Sequence, residues 1–320
     1  MSVSLTPFSM ELANATPGDF FITVIQVVYG IPSFILMIFF LVYLGCSRRF
    51  TYSFYRLVQL DLATNIICYF NTWLALRIGK YPIGISILKT IQNIFPGFLT
   101  ISAYACRWFM HMQFASAAAL SLHRIISAKC PYTSEELINR WYLAYGLLCG
   151  ALSFLPELLL PGSKYSSDNE YIGFDENGVL TRFRNMIWVN QSVPIIAGFS
   201  LAYFIALTFI GIATSYLVSK QLKIATGSSR VIKRKLFHVA VTYTIIYIGI
   251  LFSSVTSAMN TMYQLFPSLN AFSSVFLTFG SDMMTLALPY ILLAFDTNIR
   301  KDLFGKPKVT PFLISGTPMS

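Results

Sequence analysis

The sequence predicts an all-α membrane protein: a seven-transmembrane helix bundle with the N-terminus outside, the C-terminus inside and a short interfacial helix after the seventh span. Three observations predict it. Hydrophobic residues make up 55% of the 320 and charged residues only 11%, about half the charge usual in a soluble domain. Seven apolar runs each reach the roughly 20 residues that cross a bilayer as a helix. Lysine and arginine are also shared unevenly among the connections, which orients the chain.

The runs are residues 20–44, 54–78, 100–128, 141–160, 190–218, 237–263 and 269–295. Gly30-Ile31-Pro32, Pro194 and Pro289 interrupt three of them, which a bilayer-buried helix tolerates when its neighbours satisfy the freed backbone groups. Residues 81–99 are ambiguous, being apolar but broken by Lys89, Gln92-Asn93 and Pro96-Gly97. Charge decides. With seven spans, 16 Lys and Arg residues share one side and 6 the other, whereas an eighth span splits them 6 to 15 and turns the long basic loops outward. The positive-inside rule selects seven.

The first nineteen residues hold Glu11 and Asp19 but no Lys or Arg, so they lack the basic start of a cleavable signal peptide and the first span is expected to act as an uncleaved anchor. Asn14-Ala15-Thr16 is a glycosylation sequon, usable at Asn14 only if that tail is outside. The organisation is then an extracellular tail over 1–19, the bundle and interfacial helix over 20–304, and a disordered cytoplasmic tail over 305–320, which carries three prolines.

The formal charge of +10 does not point to nucleic acid, because the basic residues lie between apolar runs instead of forming one stripe. Membrane lipids are the expected partner. Five cysteines, at 46, 68, 106, 130 and 149, include no metal-ligand spacing, so neither a metal, a cofactor nor a disulfide framework is implied.

The third run is the element the rest is organised around. It carries Arg107, His111, His123 and Arg124, and ionisable groups in hydrocarbon normally face a bundle interior. Ala115-Ser116-Ala117-Ala118-Ala119 would let neighbouring helices approach closely. In the second run Asp61, Asn65, Cys68 and Thr72 draw one polar stripe down a helix face. Either a two-state polar network or a static interhelical hydrogen-bond cluster would explain it.

The connection 161–187 holds Asp168, Glu170, Asp175 and Glu176 with the turn pair Asn177-Gly178, and reads as a hairpin lid. The connection 219–235 has six basic residues and no acid, suited to an anionic leaflet or an acidic partner. After the seventh run, Ile299, Leu303 and Phe304 fall near one face of a short helix lying at the interface.

Pro289-Tyr290 bends the seventh run, and Asp282 lies two turns before that proline. Seven spans, Gln59-Leu-Asp-Leu-Ala-Thr-Asn65, Leu122-His-Arg-Ile125 and Leu288-Pro-Tyr-Ile-Leu-Leu-Ala-Phe-Asp-Thr-Asn-Ile-Arg300 together resemble the nematode chemoreceptors called serpentine receptor class gamma, within the G-protein-coupled receptors. The resemblance covers nearly the whole chain. It implies a multi-pass plasma-membrane receptor, with the sensory cilium as a candidate location, for a small-molecule ligand and a heterotrimeric G protein. The chain departs from the common rhodopsin-like pattern: His123 stands where an acid usually precedes Arg124, and the loop 161–187 contains no cysteine. No lysine in the seventh run could bind retinal.

Arg107 precedes Arg124 by 17 residues, about 25 Å along a helix, so Arg107 and Asp282 should lie at similar depth near the outer side. His111 shares a face with Arg107. The expected ligand pocket is therefore Arg107, His111 and Asp282 with Glu157, Arg107 pairing with Asp282 or with Glu157. His123, Arg124, Lys233, Arg234 and Lys235 would contact the G protein. A transporter or channel for a small solute or ion is the alternative class, since Asp61, Arg107 and Asp282 could line an ion path. An enzyme is not expected: no run contains the Gly-x-Ser-Gly setting of an intramembrane serine protease, and Phe279-Gly-Ser-Asp282 lacks the first glycine of the aspartyl type.

Overall fold

The computed structural model describes residues 5–9, 17–129, 131–159, 170–226, 229–263 and 269–305. In chain order these form β1 (Thr6–Ser9), α1 (Pro17–Cys46), α2 (Ser53–Thr72), α3 (Pro82–Ile94), α4 (Phe98–Lys129), α5 (Pro131–Leu152), α6 (Leu155–Leu159), β2 (Glu170–Phe174), β3 (Leu180–Arg184), α7 (Met186–Thr226), α8 (Ser229–Tyr263), α9 (Leu269–Phe295) and α10 (Thr297–Phe304). Each of the seven apolar runs falls on a long helix. Among the described residues, 20–46, 186–217 and 277–295 are both long and apolar enough to cross a membrane.

One run ends differently from the expectation. The fourth, expected over 141–160, is instead α5, which starts at Pro131 and stops at Leu152, followed by the separate short helix α6. Pro156 explains the break, because proline has no N–H to bond the Leu152 carbonyl four residues back and its ring clashes with it, which ends α5 there. The ambiguous segment 81–99 supplies α3, whose 13 residues reach only about 20 Å. That is too short to span.

α4 is the central helix, packing against α2, α5, α7 and α9 as well as α3 and β2. Around it the core falls into three parts. Met37, Phe40, Val58, Leu62, Leu120, Leu288 and Ile299 fill the end near α10. Phe114, Tyr247, Ile250 and Met284 fill the middle, with the Phe114 ring stacked on Tyr203 and Tyr247. Leu88, Leu99, Ala103, Ile172 and Leu180 fill the opposite end. Outside, side chains such as Val28, Ile35, Leu147, Phe209 and Ile245 are exposed, far more apolar surface than a soluble monomer presents.

The connection 161–187 does contain a hairpin. β2 and β3 pair antiparallel with Phe174 opposite Leu180, and β1 adds to the free edge of β3, giving the order β1-β3-β2. The Asp175 carboxylate accepts from the backbone N–H groups of Asn177 and Val179, and Gly178 takes a φ of 76°, a left-handed conformation that glycine adopts without strain. Ile172 and Leu180 press the hairpin onto α3 and α4, and the Ile172 N–H donates to Thr100 Oγ1 at 3.0 Å. Gly79 lets Leu180 approach, since a Cβ there would lie 2.6 Å from Leu180 Cδ2.

At the other end α10 is tied down by polar contacts. Asp296 caps it, accepting from Asn298 and Ile299 N–H, and also accepts from Tyr55 Oη at 2.9 Å. Tyr43 and Arg49 both donate to Asp302. Ile299 is fully buried and Leu303 packs on the same cluster, but Phe304 is 75% exposed. The three do not share one face: Phe304 follows Ile299 by five residues, about 140° round the helix. Replacing Asp296 by alanine removes both a cap and an interhelical bond. Thermal unfolding of Asp296→Ala in lipid nanodiscs should show a loss of about 1–2 kcal/mol; an unchanged midpoint would mean that α10 is held by Ile299 alone.

Candidate functional site

Between the hairpin end and the middle of the bundle lies a cavity of about 420 Å³, inside the range of roughly 300–1,000 Å³ common for small-molecule sites. Its wall draws on six helices and β3. Thr23 and Gln26 come from α1, Cys68 and Thr72 from α2, Ala103 to Gln113 from α4, Trp188 to Ile196 from α7, Ile250 from α8, and Val275 to Met284 from α9. Arg77, Lys80, Arg107, Arg182 and Arg184 also line it, and among the described residues no carboxylate does.

Arg77 is placed by a local irregularity. On an unbroken helix it would stand 16 residues beyond Asp61, about 160° away from the buried polar stripe. Residues Trp73–Arg77 instead form a π-turn, closed by the Ile78 N–H donating to Trp73 O, and the wider turn resets the face. Arg77 is buried, donates from Nη2 to Asp282 Oδ1 at 2.5 Å, and lies against the faces of Trp73 and Tyr69 at 5.2 and 5.9 Å. Tyr29 Oη donates to the other oxygen of Asp282. The remaining Arg77 nitrogens, Nε and Nη1, have no hydrogen-bond partner among the described residues.

Arg107 therefore does not pair with Asp282, as the sequence reading expected. Its Nη1 donates to Glu170 Oε2 at 3.0 Å, with the guanidinium against Tyr104 and Trp188 at 4.7 and 5.2 Å. The reason is the hairpin: Glu170, at the start of β2, is carried down between Arg107, Arg182 and Arg184, and its side chain is 1% exposed. Arg184 Nε reaches Glu170 Oε1 at 3.0 Å, and Arg182 shares that oxygen. Burial by itself would raise the Glu170 carboxyl, but the attraction of Arg182, Arg107 and Arg184 outweighs it and holds the group at about 2.

The other expected residues fall in three places. His111 is buried against Phe199 and Tyr203 and is off the cavity wall; the side chain of Glu157 lies outside the described residues. In mid-bundle, Asp61 accepts from Asn65 Nδ2 and from Ser116 Oγ, while Gln113 donates to both Asn65 Oδ1 and Thr285 Oγ1 at 2.7 and 2.9 Å. Tyr290, beside Pro289, shares a hydrogen bond with Ser33 across to α1. At the far end His123 Nε2 lies 2.7 Å from Ser53 Oγ. The side chains of Arg124, Lys233, Arg234 and Lys235, and the sequon at Asn14, are outside the described residues.

Because the Glu170 carboxyl is depressed on folding, its contribution is fully present above its unfolded value near 4.5 and is lost as pH falls through about 2. Glu170→Gln should lower stability at neutral pH by roughly 3 kcal/mol, since it leaves three partly buried cations without their shared carboxylate. The gap between variant and wild-type melting points should hold from pH 7 to 5 and close below pH 4. A gap already shrinking between pH 7 and 6 would contradict this assignment.

The sequence comparisons agree with the architecture. The family profile described as Srg family chemoreceptor matches residues 23–303. Serpentine receptor class gamma-47 of Caenorhabditis elegans is 33% identical over 301 residues, covering 93% of this chain and 94% of its own. Serpentine receptor class gamma-53 of the same organism is 28% identical over 288 residues, covering 87% and 90%. An extended central helix, a lidded cavity and a family match over most of the length lead to one assignment: the chain belongs to the Srg family of chemoreceptors.

Proposed function

We propose that this chemoreceptor crosses the plasma membrane seven times, binds a small molecule in the cavity under the hairpin, and signals to a heterotrimeric G protein from the opposite end. The observation that carries the reading is the cavity itself, about 420 Å³ walled by six of the seven long helices in a chain of this family. A ligand there touches helices that must shift relative to one another if the far end is to open. Sidedness follows from charge. The positive-inside count assigns the hairpin and β1 to the outside and the loop with Lys233, Arg234 and Lys235 to the inside.

The route between the ends runs along α4. Arg107 lines the cavity, Gln113 and Ser116 join the Asp61 network, and His123 contacts Ser53 at the foot of α2. A ligand can bias this helix only by binding one arrangement better than the other. The ion pair of Arg107 with Glu170 is the contact a ligand would disturb, in place of the pair with Asp282.

Cells expressing the chain with a promiscuous G protein, screened with small volatile and lipid-derived molecules, test the reading. Arg124→Ala should abolish the response with surface level intact, and an epitope at the N-terminus should be reachable on intact cells while one at the C-terminus is not. Ligand-dependent current or uptake in cells lacking G proteins would favour a transporter instead.

A further inference from the structure

We infer that the cavity takes an organic anion, an amphiphile whose carboxylate is bound by Arg77 while its hydrocarbon chain lies along the apolar wall. The inference rests on the reading of the cavity as the ligand site and names the chemical class it accepts.

Charge is the first argument. Among the described residues five cations line the cavity and no acid does, and the two carboxylates that pair with these cations, Asp282 and Glu170, are each already engaged. Glu170 alone is shared by Arg107, Arg182 and Arg184. The walls therefore carry an excess of positive charge in a place of low dielectric, where an entering anion is stabilised and an entering cation is repelled.

Arg77 is the second and independent argument. It is 5% exposed, yet two of its three guanidinium nitrogens, Nε and Nη1, make no hydrogen bond among the described residues. A buried charged donor without an acceptor is costly. Trp73 and Tyr69 hold the guanidinium plane in position and Asp282 occupies only Nη2, so Nε and Nη1 are left as charged donors for an anionic acceptor such as a carboxylate. Beyond it the wall is apolar, with Ile196, Ile250, Val275 and Met284. The volume of about 420 Å³ equals the liquid share of about fourteen waters, enough for a ten-carbon chain with a head group.

The test uses the purified full-length chain in phosphatidylcholine nanodiscs and reads its melting temperature against decanoate, decan-1-ol and decylammonium. Decanoate should raise the midpoint saturably, at concentrations about tenfold to a hundredfold below those decan-1-ol needs, and decylammonium should not raise it. Arg77→Gln alone strands Asp282 and can unfold the chain, so the variant of choice is Arg77→Gln combined with Asp282→Asn, which keeps a neutral hydrogen-bonding pair. Its preference for decanoate over decan-1-ol should be markedly smaller than in the wild type. Equal affinity for the acid and the alcohol in the wild type, or an undiminished preference for the acid in the double variant, overturns the anion assignment while leaving the cavity a ligand site. No shift with any probe also overturns it, and the G-protein screen, which presupposes no head group, then decides separately whether the receptor reading stands.

Discussion

A guanidinium cannot be left alone inside an apolar bundle, and the pairing of Arg77 with Asp282 is how this chain meets that constraint where α2 and α9 meet. The rest of the hairpin end follows from it. Tyr29 of α1 closes on the same carboxylate, the π-turn exists to swing Arg77 inward, and Trp73 and Tyr69 flank the cation. A second carboxylate, Glu170, does the same for Arg107 and for the two arginines of its own hairpin. Two acids thus organise four of the five cations on the described wall. The cost of desolvating such pairs is large, and a structure that bears it twice at one end of a bundle has been shaped by something other than stability.

Much of the framework was legible before any coordinates. Seven runs of bilayer length located the seven long helices, Arg107 and Arg124 on one apolar run marked α4 as central, and Asn177-Gly178 marked the hairpin. Gly178 does adopt the left-handed turn that pair requires. The stripe from Asp61 to Thr72 is buried along its length. These features are local periodicities or local turn chemistry, and sequence carries both directly.

What was not legible is non-local. Depth along the helices pointed to Arg107 as the partner of Asp282, and no local feature marked Arg77. An ideal helix even turns Arg77 away from the polar stripe, so only the π-turn makes it the partner. Likewise Glu170 looked like one acid among four in a long loop until strand pairing set it opposite Arg184. The edge strand β1 had no signal at all, since four residues of mixed character gain their order only from β3. Phe304 misled for a simpler reason, a five-residue spacing taken as one face.

The account stands on Arg77 and Asp282 forming one buried unit and not two independent polar residues. A double-mutant cycle on melting stability in nanodiscs, with Arg77→Gln, Asp282→Asn and the combination, measures this directly. Each single change should cost several kcal/mol by leaving the other charge unpaired, and the combination should be more stable than either. Additive losses would show that the two side chains do not share their energy, and the arrangement of the cavity described above would be wrong.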